Sequence, residues 1–209
     1  DYALLYQISG EFNNNEVVTR DGRVVGEAAF LSNQNLKYYT EKKALDYNPY
    51  DLEFLGNEKS PNFKGFNKGY NFILGIIDNV ERKKTAIFIE NKKEKIISII
   101  HPESKLSSFI ELSSGVYIGK NVSINPFTKI GKYSIINTSS VIEYECSIGA
   151  FTNIGSGTVI SENVKIGSNT SIGANSFIKQ GLTIGDNVIV HAGSVITSDI
   201  KSYSDSEKL

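Results

Sequence analysis

The chain has 209 residues, with 22 basic against 23 acidic side chains, a net charge of −1 and a single cysteine. So even a balance gives no sign of the basic stripe of a nucleic-acid-binding surface, and one cysteine excludes an intrachain disulfide framework and suits a reducing compartment. No apolar run approaches the roughly 20 residues of a membrane helix; we expect a cytoplasmic protein and, with no methionine anywhere, a start upstream of Asp1.

Residues 1–98 read as a small mixed α/β unit. Ala3–Ile8 (ALLYQI) and Val17-Val18 are apolar and strand-like, and Asn71–Ile77 (NFILGII) has the continuous apolar character of a buried strand. Asn79–Lys95 has helix-forming composition with a solvated charged face, and Ile96–Ile100 (IISII) reads as a further strand. That order predicts a βαβ-type domain. The stretch 37–69 is polar, aromatic and turn-rich and carries no period that assigns it.

From Ile100 the pattern changes. Every sixth residue from position 100 to position 196 is aliphatic, seventeen in succession: Ile, Leu, Leu, twelve Ile, Val, Ile. Four residues after each, the side chain is mostly small or β-branched, as at Thr128, Ser134, Ser140, Cys146, Thr152 and Thr158. Neither a helix nor a flat strand has a period of six. A short strand and a bend, repeated, does, with Gly and Asn recurring at the bends. Such a unit buries its apolar side only by stacking on the previous one. We therefore expect a parallel β-solenoid over residues 99–197, roughly 25 Å tall at about 4.8 Å between strands, and a tail over 198–209.

The chain resembles the hexapeptide-repeat sugar O- and N-acyltransferases of the sialic-acid and bacillosamine type. The resemblance is carried by Gly75-Ile76-Ile77-Asp78-Asn79 with Arg82, by Ile99-Ile100-His101-Pro102, by Ile136-Asn137-Thr138, and by Val141-Ile142-Glu143 with Glu145-Cys146-Ser147-Ile148-Gly149. It implies a Rossmann-like sugar- or nucleotide-binding domain over 1–98 and a left-handed parallel β-helix over 99–197. It also implies acetyl transfer from acetyl-CoA to a sugar amine or hydroxyl, nucleotide-linked or free, in bacterial-type surface glycan synthesis. A homotrimer sharing the coenzyme groove between subunits goes with it. The family's glycine-rich loop corresponds here to residues 8–16 (ISGEFNNNE), whose one glycine and two acids suit phosphate poorly.

An acceptor attacking a thioester loses a proton, which a base near working pH takes up. In the family that base is a histidine followed by an acid. The matching positions here are Tyr144 and Glu145, the candidate catalytic pair, although a phenol of pKa about 10 is a weak base. A second family histidine, at the thioester end of coenzyme A, corresponds to Asn153, whose amide still bonds a carbonyl. The coenzyme groove maps onto Gly155, Gly173, Ala174, His191 and Ala192. An amine suits this site better than a hydroxyl, because a fraction of it is already unprotonated. We expect no metal, since the chain has two histidines, too few for the three-histidine zinc site found on some related prisms. His101 before Pro102 reads as structural and Cys146 as a core thiol. Loss of both imidazoles keeps a second reading open: a non-catalytic relative serving as a structural or ligand-binding trimer.

Overall fold

The computed structural model describes residues 17–20, 36–40 and 53–205, with side chains from 53 onward. The expected strand at Ala3–Ile8 and the loop of residues 8–16 lie outside the described residues. The N-terminal unit is a parallel sheet of β1 (Val17–Arg20), β2 (Leu36–Thr40), β3 (Glu53–Phe54), β4 (Asn71–Leu74) and β5 (Lys95–Ile96), in the order β3-β2-β1-β4-β5. All four residues of β4 are buried, as a strand covered on both faces requires. The helix α1 (Asn79–Asn91) joins β4 to β5 and opens at Asp78, whose Oδ1 accepts the Glu81 amide at 2.7 Å. It ends before the expected Lys95, because Lys93 turns the chain at a φ of +61°.

The predicted strand Ile96–Ile100 is two strands. Lys95–Ile96 completes the first sheet and Ile99–Ile100 begins the solenoid. The isoleucines on either side hid the boundary at Ser98. Its hydroxyl accepts the Val116 amide at 3.0 Å and donates to the Ser113 carbonyl at 3.2 Å, turning the chain from one sheet into the other.

From Ile99 to Ile196 the chain forms seventeen two-residue strands, stacked as three parallel sheets of six, five and six. Each strand pairs with the one a full coil later, Ser123–Ile124 with Val141–Ile142 for example. Ile118, Ile124, Ile136, Ile142, Ile154, Ile160 and Ile178 are wholly buried in the triangular column this makes. The second inward slot is polar but satisfied. Thr128, Ser134, Ser140, Thr152, Thr158 and Thr170 each donate a hydroxyl to a carbonyl fifteen residues later, at 2.7–2.9 Å. The corners follow one rule: every sixth residue from Phe109 to Gly193 has φ between 55° and 76°. Gly and Asn hold many of these corners cheaply; Phe109, Phe127, Tyr133, Glu145 and Phe151 do not.

The column has three faces. Outward from the first point Val141, Val159, Phe177 and Val195; from the second Glu111, Lys129, Ser147 and Lys165; from the third Tyr117, Ile135, Asn153 and Ser171. The N-terminal unit sits on the edge between second and third faces. Tyr133 and Phe151, with rings 5.1 Å apart, complete a core of Phe72, Leu74, Ala86, Ile89 and Ile96, and the Tyr133 hydroxyl donates to Glu90 of α1. The junction is riveted by Arg82, wholly buried. Its guanidinium donates to the carbonyls of Tyr133 (2.7 Å), Ile76 (2.7 Å), Ile77 (2.8 Å) and Phe151 (2.9 Å) and to Asn79 Oδ1 (2.6 Å). Burial lowers its pKa to about 10, with Asp78 opposing, so it stays charged at neutral pH. At the far end the tail continues the column: Ile200 bridges Ile184, and Asp205 bridges Ile189.

Candidate active site

The candidate residues fall into two groups that the fold holds apart. Tyr144 and Glu145 lie where the first face turns into the second. Gly155, Gly173, Ala174, His191 and Ala192 lie on the edge where the third face turns into the first, with Asn153 just before it. One whole face separates them, about six residues of chain or roughly 20 Å at about 3.3 Å per residue.

Tyr144 is 45% exposed. Its neighbour Glu145 takes the corner, with φ +60° and its amide donating to the Pro126 carbonyl at 3.0 Å. The acid that acts most strongly on the phenol is Glu162, one coil on, and not Glu145. Glu162 foremost, then partial burial and the more distant Glu145 and Glu143, push the Tyr144 phenol above its ordinary range. Phenolate is therefore scarcer here than in water, which weakens the case for the phenol as a base. Glu143 completes the group, its Oε2 accepting Asn125 Nδ2 at 2.7 Å. Glu162 was missed in the sequence because it is remote along the chain; the eighteen-residue coil is the signal that finds it. Cys146 faces inward at 1% exposure, donates to the Ser161 carbonyl at 3.1 Å, and has its pKa pushed up to about 11 by burial. It is a core thiol, as expected.

At the other edge Asn153 Oδ1 accepts Asn137 Nδ2 at 2.9 Å, which leaves its own Nδ2 to donate outward. Gly155 and Gly173 owe their identity to stacking: a Cβ on Gly155 would lie 2.5 Å from the Ala174 nitrogen, and one on Gly173 2.3 Å from the Ala192 nitrogen. No ligand is needed to account for either. His191 pairs through Nε2 with Asp205 Oδ1 at 2.7 Å, so the tail fixes its ring. His101 is buried, with Nδ1 accepting the Glu103 amide at 3.1 Å, the structural part expected of it. In the N-terminal unit the strand order reverses between β1 and β4, and Gly75, at the carboxyl end of β4, is buried. Open parallel sheets take their ligands at such a point.

Two family models match the sequence of the column: the hexapeptide repeat of succinyl-transferase over residues 163–198 and the bacterial transferase hexapeptide, of six repeats, over residues 145–180. Residues 145–198 of the column thus match transferase-type hexapeptide repeats. Solved structures match the hexapeptide column and the N-terminal unit together. A mutant perosamine N-acetyltransferase from Caulobacter crescentus, in complex with CoA and GDP-perosamine, superposes with a TM-score of 0.82 at 24% identity, covering 93% of this chain and 94% of that one. The acetyltransferase domain of PglB from Neisseria gonorrhoeae, in complex with acetyl coenzyme A, gives 0.81 at 20% identity over 90% and 94%. WeeI from Acinetobacter baumannii gives 0.78 at 18% identity over 91% and 95%. The solenoid is thus a left-handed parallel β-helix preceded by an α/β unit.

Proposed function

We propose that the protein is a CoA-dependent sugar acetyltransferase of surface glycan synthesis. It works in the cytoplasm as a homotrimer and moves the acetyl group of acetyl-CoA to the amino group of a nucleotide-linked sugar. The observation that carries this reading is the match over both parts of the chain, N-terminal unit and hexapeptide column, to an N-acetyltransferase crystallised with CoA and a nucleotide sugar. Among the described residues no helix is long and apolar enough to cross a membrane, which agrees with soluble substrates.

The N-terminal domain, residues 1–98, takes the nucleotide at the β1–β4 crevice. The column, residues 99–197, takes the coenzyme along the edge of Asn153, Gly155, Gly173, Ala174, His191 and Ala192, Asn153 Nδ2 donating to the thioester carbonyl. The carboxylates around Tyr144 accept a proton from the sugar ammonium, Glu162 and Glu145 in place of an imidazole. The free amine then attacks the thioester carbonyl, the carbon–sulfur bond breaks, and the thiolate leaves as CoA-SH with the proton shed by the new amide nitrogen.

The test offers acetyl-CoA with paired nucleotide sugars differing only in an amine or a hydroxyl, and follows free thiol. We expect thiol release with the amine, reduced at least tenfold by Glu162→Gln and by Ala174→Trp, which fills the groove. Tight CoA binding with no release from any amine would overturn the enzymatic reading in favour of a ligand-binding trimer.

A further inference from the structure

The outward column of the third face is apolar or aromatic at Tyr117, Ile135 and Ile189 and polar only at its middle rungs, Asn153 and Ser171. Both polar side chains are half-buried, and their strands pair directly. The hydrogen bonds that reach them come from inside the protein and occupy their acceptor atoms. Asn137 Nδ2 donates to Asn153 Oδ1 at 2.9 Å, which leaves Asn153 Nδ2 as the group with protons to give. Asn79, the first residue of α1, donates from Nδ2 to Ser171 Oγ at 2.9 Å and to the Thr170 carbonyl at 3.2 Å.

The Asn79 amide cannot turn round. Its Oδ1 accepts Arg82 Nη2 at 2.6 Å, so its nitrogen has to face the column. Ser171 Oγ receives a proton from Asn79 and therefore offers its own O–H as a donor; among the described residues nothing accepts it. The Thr170 carbonyl also accepts the Asn153 amide at 2.9 Å, so Asn79 holds both polar rungs. Two donors one rung apart suit a single oxygen. An acceptor about 2.9 Å from each, with the donors about 4.8 Å apart, meets them at an angle of about 110°. That is the lone-pair angle of an oxygen singly bonded to carbon and carrying negative charge.

We propose that Ser171 is a second catalytic hydrogen-bond donor, whose hydroxyl joins Asn153 Nδ2 on the thioester oxygen as that oxygen gains negative charge. Asn79, fixed by Arg82, is the positioning residue that turns the hydroxyl outward. The proposal rests on the acetyltransferase reading for the identity of the acyl compound. The bonds formed and broken are those of the acetyl transfer already described, and Ser171 keeps its proton throughout. A donor preset in this way is worth roughly 10²–10³ in kcat.

Ser171→Ala removes the donor and leaves Asn79 the Thr170 carbonyl, so the N-terminal unit stays docked. With acetyl-CoA and an amino-sugar nucleotide, we expect kcat for thiol release to fall about 10²-fold. KM for each substrate stays within about twofold of the native value, and Ser171→Thr, which keeps a hydroxyl, recovers most of the rate. Asn79→Asp preserves shape but sets an acceptor against Ser171 and draws its proton inward. It matches Ser171→Ala, and the double variant is no worse than either. A further readout needs no turnover: isotope-edited infrared spectra show the acetyl carbonyl stretch of acetyl-CoA lowered on binding the native chain, and lowered less on binding either single variant. Equal kcat in native chain and Ser171→Ala, additive losses in the double variant, or one carbonyl stretch common to native chain and variants overturns the proposal. A native chain that lowers the stretch but releases thiol with no amine refutes the activity and leaves the donor pair standing.

Discussion

Replacing Arg82 by methionine keeps most of the buried stem and removes the guanidinium. Five acceptors lose their donor: the carbonyls of Ile76, Ile77, Tyr133 and Phe151, and Asn79 Oδ1. Ile76 and Ile77 are partly open to solvent and regain water, whereas Asn79 is 8% exposed and the other two carbonyls face the junction. Three stranded acceptors at about 1–1.5 kcal/mol each come to roughly 3–5 kcal/mol. The loss falls on docking and not on the column, whose isoleucine core excludes Arg82. Native-state hydrogen exchange reads the two separately. Protection of the α1 and β4 amides drops roughly 10²–10³-fold, the equivalent of that energy, while the rungs of Ile154 and Ile172 keep theirs. Arg82→Lys, with a charge but no planar fork, falls in between. Unchanged protection in α1, or loss shared equally by the rungs, would refute the rivet.

Ile154→Ala opens a cavity in the column and costs about 3 kcal/mol by urea unfolding; a cost under about 1 kcal/mol would mean that the coils close up on removal of a side chain. Gly173→Ala costs about 2 kcal/mol because backbone, not a flexible side chain, blocks the new Cβ, whereas Gly193→Asn, at φ +74° with open space around it, costs under about 1 kcal/mol. Equal costs would remove the stacking explanation for the glycines. Burial and the bond to Glu90 hold the Tyr133 phenol above its usual value of 10.0. The folded state therefore keeps a proton that the unfolded chain has lost. Its contribution is complete below pH 10 and lost as pH rises through the elevated value. Unfolding followed from pH 9 upward shows α1 loosening in the native chain, and Tyr133→Phe makes that slope shallower; an identical slope in both would assign the alkaline loss elsewhere.

The column was legible because one period wrote it seventeen times, and burial enforces that period at every Ile. What the period does not encode is which corner faces what. Phe109, Phe127, Tyr133 and Phe151 occupy equivalent positions in the repeat, yet one pair lies under α1 and the other is uncovered among the described residues, a difference made by contacts far away along the chain. The same remoteness concealed Glu162 as the acid that acts most strongly on Tyr144. Adjacency in sequence favoured Glu145, but the corner turns its backbone away and stacking supplies the acid from the next coil. The split of IISII failed for the opposite reason: four isoleucines meet the needs of either sheet, and the deciding residue is a single serine. β2 and β3 fall in or beside a stretch whose turns and aromatics swamp so short an alternation.

The tail bears on a hazard that any column of identical rungs carries. A parallel solenoid ends in a row of open amides and carbonyls, ready to accept the first rung of another molecule and grow end-on into a filament. Here the bridges of Ile200 to Ile184 and of Asp205 to Ile189, with Asp205 pinned by His191, lay residues 200–205 over two of that row's three strands, Thr183–Ile184 and Ile189–Val190. End-on stacking of a second column is thereby obstructed at two of its three sheets.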